Sequence, residues 1–341
     1  MAHGRFDNPV IASLTGILDI FRKQKLSERI SDKNRVDGKT CLITGANTGL
    51  GFAIAVDMAQ RGAHVIMACR SQIPEAAKKV KTLSGSKNVS MKYLDLSKID
   101  TIHNFANDLK NEKTKIDYTI LNAGVALPKA RKTASGLDEI FLVNYLSNFI
   151  LLNLLLNNGV IPNSTIFKNK NPTDKPARVI FISSDSHQKS SFIDYKEFGR
   201  YFEYGIKKGM NNYSYFKLVL NTLAVEISKR INSFSETSDV SFNVICPGPV
   251  NTDIVREAPW IVKIALKGIF SVFFQSPKKA AKAVSYITIS TDFENKTSQY
   301  MHMFNPKKMD YKVYIPEEGE KLWKHSSEVW KRVDNQAKIC I

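Results

Sequence analysis

At 341 residues, with 43% hydrophobic and 24% charged content, the chain has the size and composition of a folded α/β protein and not of a disordered one. No apolar run reaches the roughly eighteen residues a membrane-spanning helix needs, the N-terminus carries no secretory-signal pattern, and Cys41, Cys69, Cys246 and Cys340 have no metal-type or disulfide-framework spacing, so reduced thiols in a cytosol-facing chain are expected. The net charge of +17 suits an anionic ligand, an anionic membrane surface or nucleic acid, but scattered lysines without interleaved aromatics read more plainly as a solvated basic face, with no nucleic-acid partner expected.

Residues 1–37 stand apart as an N-terminal extension. Val10, Ile11, Leu14, Ile17, Leu18 and Phe21 fall on one helical face, followed by Arg22, Lys23 and Lys25. That pattern suits an amphipathic helix lying on a membrane surface and, equally, one packed on the protein's own core. From residue 38 onward β-type runs alternate with helical stretches. Strands are predicted over Thr40–Thr44, His64–Ala68, Val89–Leu94, Ile116–Leu121, Arg178–Ser183, Val240–Cys246 and Ser298–Met303. The clearest helices between them are Gly51–Arg61, Ser97–Lys110, Gly136–Asn157, Tyr213–Ile231 and Pro277–Ser290. Such alternation predicts a single α/β domain over 38–341, a doubly wound parallel sheet of Rossmann type with about seven strands and helices on both faces. The apolar stretch Trp260–Phe274, within a segment of about 253–276, could be a flap over a lipophilic substrate, a membrane-facing helix or a buried one.

The first strand runs into Thr44-Gly45-Ala46-Asn47-Thr48-Gly49-Leu50-Gly51. Glycines allow a sharp turn and close approach of an anion, and a helix N-terminus offers unpaired N–H groups, so this loop is a phosphate cradle in waiting. Its G-x-x-x-G-x-G spacing differs from the commoner G-x-G-x-x-G. The second strand ends in Cys69-Arg70, where dinucleotide folds place either an acid for the ribose diol or a base for a 2′-phosphate. Arg70, with its forked donors, favours NADP(H) over NAD(H).

Three later groups give the loop its chemistry. Asn122-Ala123-Gly124 follows the fourth strand, Ser183-Ser184 follows the fifth, and Tyr213-Ser214-Tyr215-Phe216-Lys217 opens a long helix. Tyr213 and Lys217 project from one helical face. A phenol titrates near 10, and a neighbouring ammonium lowers that value toward general acid/base work on an alcohol or carbonyl. Tyr204-Gly205-Ile206-Lys207-Lys208 has the same spacing, but Gly205 and Gly209 argue against a helix there.

With these motifs in order, the chain from about Gly38 onward resembles the short-chain dehydrogenase/reductase family, most closely its retinol dehydrogenase-like branch. Val143-Asn144-Tyr145-Leu146 resembles that branch's Val-Asn-His-Leu segment, and Leu322-Trp323-Lys324-His325-Ser326 a C-terminal signature. The resemblance implies that Tyr213 gives or takes the proton and that Ser184, the second of its pair, orients the substrate oxygen. It further implies that Lys217 tunes Tyr213 and binds the nicotinamide ribose, and that Asn144 holds a water extending the proton relay. Cofactor contacts are implied for Gly45, Asn47, Thr48, Gly49, Leu50, Gly51, Asp95, Leu96, Asn122, Ala123, Gly124, Pro247, Gly248, Val250 and Thr252. The sequence departs from the branch at Tyr145, where histidine is usual, and in the aromatic- and lysine-rich insertion Gln188–Asn212.

The expected activity is NADP(H)-dependent interconversion of an alcohol and a carbonyl, on a lipophilic substrate such as a retinoid, steroid or lipid aldehyde or ketone. A C=C reductase similar to protochlorophyllide reductases, or an NADP(H)-binding scaffold without turnover, are the alternatives. No metal is expected. Peripheral contact with an anionic membrane on its cytosolic face and homo-oligomer formation stay open.

Overall fold

The computed structural model describes residues 30–31, 33–167, 175–233, 238–250 and 275–339. The expected helix near residues 10–25, Thr252 and the apolar stretch 260–274 lie outside these. The described strands are β1 (Thr40–Thr44), β2 (His64–Cys69), β3 (Val89–Tyr93), β4 (Tyr118–Leu121), β5 (Ala177–Ile182), β6 (Val240–Cys246), β7 (Tyr300–His302) and β8 (Asn305–Lys307). They form one sheet in the order β3-β2-β1-β4-β5-β6-β7-β8, parallel throughout except for the antiparallel β7–β8 pair. β5 and β6 are buried along their whole length, as strands covered by helices on both faces must be. The Val179–Ile182 run of β5 follows from that, while β6 buries Ser241 and Asn243 as a hydrogen-bonded pair, Asn243 Nδ2 donating to Ser241 Oγ at 2.8 Å.

The sheet has one strand more than expected. Met303 turns the chain with a φ of 55° and β8 folds back beside β7. Asn305-Pro306-Lys307 carries no β-type pattern; its proline is tolerated because β8 is the edge strand. The opposite edge, β3, carries Lys92, a charged residue of the sort that discourages edge-to-edge pairing.

Seven α-helices of ten residues or more flank the sheet among the described residues: α1 (Gly49–Gln60), α2 (Glu75–Ser84), α3 (Ile99–Asn111), α4 (Glu139–Asn157), α5 (Ile206–Asn232), α6 (Pro277–Ile289) and α7 (Pro316–Val333). By length and composition α4 could cross a membrane, but 94% of its apolar window is buried inside the protein, which makes it a core helix. α5 starts ahead of the expected Tyr213, with Gly205 as its N-cap. Gly209 is admitted to its first turns for a steric reason: a Cβ there would collide with the Leu127 carbonyl of the loop passing over it. Local propensity argued against helix at this point, and tertiary contact overrode it.

The sequence departures acquire a structural role. Tyr145 is fully buried, and its hydroxyl bonds Ser326 Oγ at 2.6 Å, tying α4 to the C-terminal signature on α7. Trp323 and Trp330 of α7 meet Phe149 edge-to-face at 4.8 and 6.0 Å. The insertion packs on the same helix, with Tyr195 stacked on His325 at 4.7 Å and its hydroxyl donating to Glu318 O at 3.0 Å. Ser326 Oγ already donates to Leu322 O at 2.7 Å. Tyr145→Phe therefore leaves a buried acceptor unfilled, and urea unfolding should show a loss of ~1 kcal/mol.

Residues 30–31 and 33–36 also pack on the domain. Ile30 and Val36 join the core beneath α1, and the buried Arg61 guanidinium donates to Ser31 O at 2.7 Å and Asn34 O at 3.2 Å.

Candidate active site

The strand order reverses between β1 and β4, and the crevice at their C-terminal ends is where a doubly wound sheet takes its ligand. A cleft of about 390 Å³ lies there. Its floor is the glycine loop, with Gly45 and Gly49 at φ 65° and 57°. Only glycine enters that region without strain. At Gly51 a Cβ would strike the Gly45 carbonyl and come within 2.5 Å of Asn122 Nδ2. α1 begins at Gly49 with no side-chain cap from Thr48, so the helix end presents its amides to the cleft, as an anion site requires.

Asn122 holds this floor together. Its Nδ2 donates to Thr44 O at 3.0 Å and Gly45 O at 3.2 Å, while Thr44 Oγ1 accepts from the Asn122 and Ala123 N–H groups, both at 3.0 Å. The Asn-Ala-Gly segment thus sews β4 to the end of β1.

On the opposite wall stand Ser183, Ser184, Tyr213 and Lys217, with Pro247, Gly248 and Val250 beside them. Lys217 is buried, donates from Nζ to Ile182 O at 2.7 Å and lies 5.5 Å from the centre of the Tyr213 ring. Ser184 caps the short 3-10 turn Asp185–Lys189. Ser183 Oγ is buried without a hydrogen-bond partner among the described residues. Asn144 does not line the cleft. It sits behind Gly124 and Val125, in a π-turn spanning Leu142–Leu146 within α4. Its side chain accepts from Val125 N–H at 2.7 Å and donates to Val125 O at 2.8 Å. A π-turn loosens the helical ladder locally, a device frequent at functional sites. The Asn144 carbonyl instead accepts from Asn148 Nδ2 at 3.3 Å. Tyr204, the decoy, precedes α5 and does not line the cleft.

At the far end Arg70 is exposed on the rim, and Asn47 Nδ2 donates to Ser71 Oγ at 3.2 Å. Leu96 lines the cleft with Asp95, whose Oδ1 is held by Ser97 N–H at 3.1 Å and Ser97 Oγ at 2.7 Å. Glycines where any side chain would intrude, an uncapped helix start and a guanidinium on the rim fit a phosphorylated dinucleotide. Among the described residues no cluster of His, Cys, Asp or Glu is placed to hold a metal.

Comparison with known proteins agrees with this geometry. The family model for short chain dehydrogenase matches residues 39–194. Retinol dehydrogenase 14 of Mus musculus is 30% identical over 311 residues, covering 86% of this chain and 86% of the relative. The chain belongs to the short-chain dehydrogenase/reductase family, retinol dehydrogenase-like branch. Retinol dehydrogenase 13 of the same organism is 29% identical over 302 residues, covering 86% of this chain and 84% of that one. A solved structure, the Pseudomonas aeruginosa RhlG/NADP active-site complex, superposes with a TM-score of 0.59 at 20% identity, over 80% of this chain and 98% of that one.

This dehydrogenase/reductase acts on alcohol and carbonyl groups. Burial sets the protonation of its cleft. It depresses the Lys217 amine to about 8 and pushes the Tyr213 phenol up. The Tyr213 shift is opposite to the one expected from a neighbouring ammonium. Desolvation dominates there, and the Lys217 amine points its hydrogen bond at Ile182 O. Cys69, standing where an acid would bind a ribose diol, is buried and its thiol is pushed up to about 11, so it stays uncharged. Sequence reasoning missed Ser71, Val125, Leu127, Val143 and Ile182 in the wall. Ser71 was signalled by its place beside Arg70; the rest are apolar residues that resemble core until the cleft is seen.

Proposed function

We propose that this protein is an NADP(H)-dependent oxidoreductase that interconverts a lipophilic alcohol and its aldehyde or ketone. The observation that carries the reading is the convergence of Tyr213, Lys217 and Ser184 on the cleft floored by the glycine loop. The relatives named as retinol dehydrogenases support a lipophilic alcohol, as does the apolar wall of Val125, Leu127, Val143 and Ile182.

Bound NADPH would supply the hydride to the carbonyl carbon. Tyr213 Oη–H gives its proton to the carbonyl oxygen, and Ser184 Oγ–H holds that oxygen as negative charge develops on it. Lys217, anchored on Ile182 O, keeps a positive charge close to the phenol below pH 8 and favours its ionised form once the proton has left. Asn144, with both side-chain groups engaged by Val125, fixes the loop after β4 that forms one wall of the cleft. Arg70, with Asn47 and Ser71 beside it, would receive the 2′-phosphate of bound NADP(H).

The test is turnover of retinal, steroid ketones and medium-chain aldehydes with NADPH and NADH, followed by nicotinamide absorbance. No turnover of any carbonyl by either cofactor would count against the reading. Arg70→Asp is expected to cost roughly 10- to 100-fold in kcat/KM with NADPH, the worth of a charge-assisted phosphate contact, while activity with NADH holds or improves. An unchanged cofactor ratio would remove Arg70 from the phosphate site.

A further inference from the structure

The turn after Ser184 is held more firmly than a strand-end turn requires. Asp185 carries Lys307 Nζ at 2.7 and 2.6 Å on its two oxygens and Tyr300 Oη at 3.1 Å, so the added strand β8 clamps it. Ser186 donates twice to Ser184 Oγ, from its N–H at 3.3 Å and its hydroxyl at 3.0 Å. A hydroxyl has two acceptor sites and one proton. Both acceptor sites of Ser184 are thereby filled, and only its own proton is left to give.

His187 is fully buried and reaches back to the same residue. Its Nε2 accepts from the Asp310 N–H at 3.2 Å, so the proton sits on Nδ1, which donates to Ser184 O at 2.7 Å. Burial lowers its pKa and keeps the ring neutral, against the pull of Asp185 and Asp310 and with Lys307 opposing them. Tyr300 closes the pocket edge-on at 5.4 Å.

We propose that Ser186 and His187 are positioning residues that make Ser184 a one-way hydrogen-bond donor: His187 fixes its backbone and Ser186 turns its hydroxyl proton toward the reacting oxygen. The proposal rests on the reading of Ser184 as the residue that holds that oxygen. A donor fixed this way favours an oxygen gaining negative charge over an alcohol O–H needing an acceptor, so the loss should fall on the chemical step and not on cofactor binding.

The experiment uses the full chain and whichever carbonyl shows the highest turnover with NADPH. Ser186→Ala should lower kcat about 5- to 10-fold, the worth of one net hydrogen bond, with the KM for NADPH unchanged and activity restored by Ser186→Thr. Two histidine variants separate positioning from packing. In His187→Asn the amide nitrogen stands near the place of Nδ1 and keeps the donor to Ser184 O; His187→Gln reaches the Nε2 place and keeps only the Asp310 contact. Activity near wild type in the first and an about tenfold lower kcat in the second is the expected result. Ser184→Ala and Ser183→Ala are run beside them. If Ser184→Ala is inactive while Ser186→Ala and His187→Gln stay within about twofold of wild type, the positioning proposal is overturned. Equal losses in both histidine variants, matched by equal drops in melting temperature, also overturn it in favour of packing. If Ser184→Ala turns over normally and Ser183→Ala does not, the assignment of Ser184 fails first, and the proposal with it.

Discussion

Tyr213→Phe is expected to lower turnover by roughly 10²- to 10⁴-fold, the usual worth of a general acid/base, while NADPH affinity stays within about twofold. Only the hydroxyl is lost. The ring keeps its place on α5, and Lys217 Nζ keeps its 5.5 Å approach to the ring centre and its bond to Ile182 O. The glycine loop, gripped by Asn122 on the other side of the cleft, is untouched. Fluorescence titration of NADPH and single-turnover kinetics on the same preparation separate the two effects. Tyr204→Phe is the control. Tyr204 lies outside the cleft, with its hydroxyl buried beside Asp138 and Asn212. Its variant should turn over like the wild type, and a loss of activity there with Tyr213→Phe still active would reverse the assignment.

Lys217→Met should abolish most turnover and yet raise the unfolding midpoint at pH 7. The sign follows from the depressed pKa. In the unfolded chain the amine stays charged up to its ordinary 10.5, while in the fold it loses its proton near 8. Below pH 8 both states are protonated and the fold carries the whole cost of a buried ammonium, roughly 3 kcal/mol at 1.36 kcal/mol per pH unit. Between pH 8 and 10.5 the unfolded state binds the extra proton, so stability rises with pH and the cost disappears. Methionine carries no charge and removes this dependence, at the loss of one hydrogen bond of ~1 kcal/mol to Ile182 O. The variant should therefore be the more stable protein at pH 7 and lose that advantage at pH 10, a trade of stability against activity often seen at catalytic sites. In the wild type, kcat/KM should fall as pH rises through about 8, where the charge beside the phenol is lost. Urea unfolding at the two pH values and a pH–rate profile check both halves. A variant no more stable at pH 7 would mean that burial does not depress the lysine's pKa in the fold.

Much of the fold around the candidate site was legible from local pattern. β1 and β6 span the predicted Thr40–Thr44 and Val240–Cys246, because strands buried on both faces are rich in apolar and β-branched residues in any context. Gly45, Gly49 and Gly51 mark a turn that other residues cannot make. The spacing of Tyr213 and Lys217 places both on one face wherever that helix packs. The start of α5 departs from the local pattern because Gly205 and Gly209 oppose a helix by propensity, whereas the loop over Gly209 demands a residue without a side chain. β8 leaves no mark in the sequence because an edge strand of three residues containing proline has no alternation.

The order of strands and helices, the phosphate-type loop and the pairing of a phenol with an amine are properties of short stretches, and the sequence alone determined them. What those groups do depends on neighbours far away in the chain. Ile182 receives the Lys217 amine, Thr44 and Gly45 receive Asn122, Asp310 sets the tautomer of His187, and Ser326 explains Tyr145. Burial then moves Lys217 down and Tyr213 up. Hydrogen-bond partners and desolvation exist only once the sheet has brought separate segments together, and so only the tertiary structure decided them.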